Sequence, residues 1–144
     1  MSIAFLTDDG NNRMEGRWDA VPGGCGAHFI KNEGSFTSPN YPEAYPHNSD
    51  CEWLLDTTPG NNVNLYFTDF YVEYNTACRY DFVKVYDGPN MTYPLLGTFC
   101  GYDIPEPVRS TSNQMFVHFT SDASLENGHL LIKIYTKIYQ IPVF

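Results

Sequence analysis

Met115-Phe116-Val117-His118-Phe119-Thr120 is the stretch that decides the fold, because Met115, Val117 and Phe119 recur at every second position. Side chains alternate across a β-strand, so this period of two marks a strand with one face in a core and the other toward solvent. His118 falls on the opposite, solvent-side face. Outward from that strand the same alternation returns in Val63, Leu65 and Phe67, and again in Leu130, Ile132 and Ile134. Three further apolar stretches, Trp53-Leu54-Leu55, Phe82-Val83-Lys84-Val85-Tyr86 and Leu95-Leu96-Gly97-Thr98-Phe99, are each bounded by Asn, Asp, Gly or Pro. No segment sustains a helical period. Several short strands at regular spacing predict an all-β antiparallel sandwich or barrel whose alternate residues share one core.

The composition agrees with strands and turns. Aromatic residues make up 16%, with 11 Tyr and 10 Phe, and 10 Pro and 11 Gly are spread through the chain as turn formers. A length of 144 residues suits one domain of ordinary size. The formal net charge of −9 argues against nucleic acid as a partner, since phosphate binding rests on Lys and Arg. It favours a basic protein or a cation. No apolar run approaches the roughly 18 residues of a membrane span, so direct membrane insertion is not expected.

Cys25, Cys51, Cys78 and Cys100 are even in number and widely spaced, with no Cys-x-x-Cys pair to suggest zinc or redox catalysis. They read as disulfides. Four cysteines allow three connectivities, of which pairing sequence neighbours closes the shortest loops; the count alone leaves all three open. Disulfides want an oxidising, extracellular setting. The glycosylation motif Asn90-Met91-Thr92 lies in a turn flanked by Gly88 and Pro89. The start Met1-Ser2-Ile3-Ala4-Phe5 has neither a basic region nor a long apolar run of the secretory type, so the chain reads as a segment of a longer secreted or membrane-anchored protein, with Met1 as an added start.

Residues 1–24 are polar and Gly-rich, as in Asp8-Asp9-Gly10-Asn11-Asn12 and Pro22-Gly23-Gly24, and read as a linker. Phe5-Leu6-Thr7-Asp8-Asp9 also echoes Phe119-Thr120-Ser121-Asp122-Ala123, as the remnant of a preceding similar domain would. Residues 138–144 form a C-terminal tail.

Enzyme templates fail. There is no Gly-x-Ser-x-Gly, no His-Glu-x-x-His and no phosphate-cradling glycine loop, and His28, His47, His118 and His129 lack the spacing of a metal cage. The carboxylates say more. Asp69, Glu73, Asp81, Asp87 and Asp103 flank strands, and Asp122 sits just after Phe119 in a Ser/Asp turn. Hard cations need six to eight oxygens at short range, which carboxylates on adjacent loop tips supply.

The run Cys25-Gly26, Gly34-Ser35-Phe36-Thr37-Ser38-Pro39-Asn40-Tyr41-Pro42, Tyr45-Pro46, Cys51-Glu52-Trp53, Cys78-Arg79-Tyr80-Asp81-Phe82-Val83, Tyr86-Asp87-Gly88, Phe99-Cys100-Gly101 and Phe119-Thr120-Ser121-Asp122 resembles a CUB domain over residues 25–137. That resemblance implies a CUB-type sandwich of two antiparallel sheets with two disulfides, Cys25 to Cys51 and Cys78 to Cys100. It also implies one Ca2+ at one end of the sandwich, held by Glu73, Asp81 and Asp122 with backbone oxygen from Ser124 and Leu125. Calcium-binding members often place a Tyr ahead of the Ser-Pro-x-Tyr-Pro run to brace an acidic ligand. Glu33 stands in that place here, a departure that puts the brace in question.

The resemblance implies a non-catalytic, extracellular recognition module that binds Lys or Arg side chains of a protein partner, beside neighbouring CUB or other extracellular domains. The echo in residues 1–24 resembles the arrays of cubilin-like endocytic receptors, where modest single contacts gain by avidity. The alternatives are a substrate-selecting module of a secreted protease, a carbohydrate-binding module or a structural spacer.

Overall fold

The computed structural model describes residues 24–30, 33–123 and 129–137. The expected linker, apart from Gly24, and the expected tail at 138–144 lie outside the described residues, as do Ser124 and Leu125. Nine strands are described: β1 Gly24–Ile30, β2 Glu33–Thr37, β3 Asp50–Asp56, β4 Asn62–Tyr71, β5 Phe82–Tyr86, β6 Leu95–Phe99, β7 Val108–Arg109, β8 Gln114–Thr120 and β9 His129–Lys137. They form two sheets, in the orders β1-β3-β8-β5-β6 and β2-β9-β4-β7.

Alternation builds the core. Val63, Leu65 and Phe67 of β4 face Met115, Val117 and Phe119 of β8 across the sandwich, all of them buried, with Ile132 of β9 beside them. Phe36 of β2 stacks on Trp53 of β3 with ring centroids 4.3 Å apart, which locks one sheet to the other. Phe67 of β4 also reaches across to Phe99 of β6, in a tilted contact with ring centroids 5.5 Å apart.

Two departures from plain alternation shape the rest. The register of β4 against β9 shifts between Phe67 and Asp69, and this bulge moves Phe70 into the core and turns Tyr71 outward. The second is the pairing of β1 with β3, which is parallel, where only antiparallel neighbours were expected. A parallel pair needs a crossover. The chain between them supplies it by passing through β2 in the other sheet. Cys25 and Cys51 are direct register partners in this pair and are joined by a disulfide, with Cα atoms 4.5 Å apart. The second disulfide joins Cys78 in a short 3-10 turn, Thr76–Cys78, to Cys100 just after β6.

Candidate metal centre

Three chain segments emerge at one end of the sandwich: the exit of β4, the entry of β5 and the exit of β8. Glu73 lies two residues beyond β4, Asp81 immediately precedes β5, and Asp122 lies two residues beyond β8. Since β5 and β8 are paired neighbours and β4 faces them, the three carboxylates converge, with one oxygen from each lying within 4.8 Å of the others. Asp81 is fully buried; Glu73 and Asp122 are half-buried.

The chain holds this arrangement by hydrogen bonds. Asp81 Oδ1 accepts the backbone N–H of Asp122 at 2.9 Å, and Asp81 Oδ2 accepts the phenol of Tyr45 at 2.6 Å. The Tyr45 oxygen in turn accepts the N–H of Glu73 at 3.1 Å. One phenol thus ties two of the acidic residues together. Tyr45 is itself wedged in the core, edge-on to Phe119 at 4.8 Å. The loop that carries it clamps the third carboxylate's segment: Asn48 N–H donates to the carbonyl of Asp122, Ser49 N–H to Ser121 Oγ, and Ser121 N–H to the carbonyl of Ser49. The mutual backbone bonds of Val72 and Gly101, at 3.0 and 2.8 Å, secure the approach to Glu73. Gly101 adopts φ +102°, a left-handed conformation that favours glycine.

The bracing tyrosine is therefore present, at Tyr45, after the Ser-Pro-x-Tyr-Pro run. Glu33, where a brace was sought, is an exposed residue at the start of β2. Tyr45 stands in the Tyr45-Pro46 pair of the family run, yet its role there was not legible, because its reach to Asp81 spans 36 residues.

Chemically, the trio offers oxygen only, which suits a hard divalent cation such as calcium over zinc. Three carboxylates this close, one of them fully desolvated, repel one another until a cation compensates them. The donor set fits calcium.

The remaining candidate carboxylates are elsewhere. Asp69 accepts the phenol of Tyr41 at 2.6 Å, Asp87 caps Thr111 through its N–H and hydroxyl, and Asp103 is exposed in a loop. A second trio, Asp50, Glu52 and His118, gathers on the outer face of the five-stranded sheet. There His118 lies on the solvent side of β8, as expected, yet is largely covered, and its Nε2 meets Asp50 Oδ1 at 2.7 Å. Asp50 and Glu52 are exposed, so this is a surface hydrogen bond beside a further carboxylate.

Comparison with known proteins matches this architecture to a family. The sequence pattern of the CUB domain matches residues 25–132. Cubilin of Canis lupus familiaris is 40% identical over 81% of this chain and 3% of its own length, and human tolloid-like protein 1 is 38% identical over 78% of this chain and 11% of its own. This chain thus spans a small fraction of those relatives. Among solved structures, the MASP-1 CUB2 domain bound to Ca2+ is 33% identical with a TM-score of 0.67, covering 76% of this chain and 96% of that one. Sequence pattern, paired sheets and disulfides agree, and the chain belongs to the CUB domain family.

Proposed function

We propose that this CUB domain is an extracellular, calcium-dependent recognition module, in which Glu73, Asp81 and Asp122 hold one Ca2+ and the ordered end binds Lys or Arg side chains of a protein partner. The observation that carries the reading is the braced trio itself: Asp81, fully buried, keeps both oxygens hydrogen-bonded beside two more carboxylates. Such an arrangement holds an ion in place. Ser124 and Leu125 complete the ligand set with backbone oxygens in this proposal. The MASP-1 CUB2 structure bound to Ca2+ supports the choice of ion. Two disulfides support an extracellular location.

The partner chemistry follows from charge. With calcium bound, the outward carboxylate oxygens become fixed acceptors for a cationic donor, and charge-assisted hydrogen bonds to such groups are roughly twice as strong as neutral ones. Calorimetric titration of CaCl2 into the chain and into Asp81→Ala tests the ion site, with heat expected only for the former. A lysine-rich peptide on a sensor surface tests the partner class: retention is expected in calcium and lost in chelator. Retention that survives chelator would support instead a calcium-independent surface, as in the carbohydrate-binding alternative.

A further inference from the structure

At the end of the sandwich remote from the carboxylates, the β5–β6 hairpin carries Asn90-Met91-Thr92. Asp81 precedes β5 and the hairpin turn follows it, so the two sites lie roughly 20 Å apart by strand rise alone. The hairpin base is anchored: Asp87 accepts both the N–H and the hydroxyl of Thr111, and its own N–H donates to the carbonyl of Pro94 at 2.8 Å. The Tyr93 ring packs on Gly88 so closely that a β-carbon there would collide with it. Within this fixed frame, Asn90 Oδ1 accepts the Thr92 hydroxyl at 2.6 Å and the Thr92 N–H at 3.0 Å. Both bonds turn the amide so that Oδ1 faces the chain. Nδ2 makes no hydrogen bond among the described residues, and Asn90 is exposed.

Beside it is a surface that needs cover. β6 ends the order of its sheet, leaving one edge without a neighbouring strand among the described residues. Met91, Tyr93 and Leu95 stand 46%, 46% and 50% exposed along the approach to that edge. An open strand edge flanked by apolar side chains is a template for unwanted pairing. Nothing at the edge itself carries a protective charge: Leu95-Leu96-Gly97-Thr98-Phe99 is uncharged throughout.

We propose that Asn90 carries an N-linked glycan that covers the free edge of β6 and leaves the carboxylate end of the sandwich open. In the attaching step, Asn90 Nδ2 bonds to C1 of the reducing-end N-acetylglucosamine of a lipid-pyrophosphate-linked oligosaccharide. The C1–O bond to pyrophosphate breaks, its electron pair leaves with the lipid pyrophosphate, and Nδ2 releases one proton; nothing is oxidised or reduced. Because the contacts of Asn90 and Thr92 with each other are local, the acceptor tripeptide is competent before or after the sheets close. The hydrophilic glycan then prevents β6 from meeting another strand.

The test is to secrete the whole chain from cultured eukaryotic cells and map Asn90 by mass spectrometry, with amidase release in heavy-oxygen water marking the modified asparagine. A glycopeptide at Asn90 is expected in the wild type and in Thr92→Ser, and none in Asn90→Gln or Thr92→Ala. Secreted wild type with an unmodified Asn90 overturns the site. Sedimentation velocity before and after amidase treatment tests the cover: self-association is expected only after the glycan is removed, and a monomer unchanged at high concentration overturns that role. Calcium titration of the two forms should coincide; a changed calcium affinity would refute the placement of the glycan away from the carboxylates.

Discussion

Tyr45 donates a 2.6 Å hydrogen bond to the fully buried carboxylate of Asp81, and the same phenol oxygen accepts the backbone N–H of Glu73. Tyr45→Phe keeps the ring against Phe119 and removes only the hydroxyl. One buried and one half-buried group then lose a partner, which costs about 2–3 kcal/mol by the usual penalty for unsatisfied polar atoms. Calcium affinity should fall about tenfold, because Asp81 and Glu73 lose their common anchor. Denaturant unfolding and calcium calorimetry on this variant check both effects.

Removing calcium should loosen the same end. A ligand present at a hundredfold over its dissociation constant adds about 2.7 kcal/mol to stability. Chelator should therefore lower the melting temperature on the order of 10 °C for a domain of this size. In Asp81→Ala, chelator should shift nothing. Differential scanning calorimetry of the two proteins with and without chelator decides it, and an equal shift in both would exclude this trio as the site.

The two disulfides should have separable roles. Cys78 and Cys100 tie down the segment between Glu73 and Asp81, whereas Cys25 and Cys51 staple β1 to β3. Cys25→Ala/Cys51→Ala should cost roughly 3 kcal/mol of stability with calcium affinity retained. Cys78→Ala/Cys100→Ala should weaken calcium binding as well. Urea unfolding paired with calcium titration separates the two outcomes.

Trp53 is the central contact between sheets, buried and stacked on Phe36. Trp53→Ala should destabilise by about 3–5 kcal/mol, the range for deleting a large buried aromatic ring. Urea unfolding measures it directly.

Tyr41 gives the fold a pH dependence on the alkaline side. Its hydroxyl pKa is raised, first by the hydrogen bond to Asp69, then by burial and by the negative charge of that carboxylate. A raised folded-state value means that the folded chain favours the protonated phenol. The contribution is therefore complete below the ordinary tyrosine value of about 10 and is lost as pH rises through the higher folded value. The stability difference between wild type and Tyr41→Phe should be constant at neutral pH and disappear at strongly alkaline pH, measured by urea unfolding across the range.

Much of this molecule was written locally. Val63, Leu65, Phe67, Met115, Val117 and Phe119 announce their strands because a half-buried strand imposes a period of two on its own residues. Glu73, Asp81 and Asp122 could be named together through the family motif, since they flank strands in recognisable surroundings. Tertiary structure alone decided the parallel pairing of β1 with β3, the bulge that turns Phe70 inward, and the reach of Tyr45 to Asp81. Each of these depends on where distant segments come to rest. A strand's alternation records which side faces the core but not which strand lies beside it, and a phenol's partner 36 residues away leaves no periodic trace in the chain.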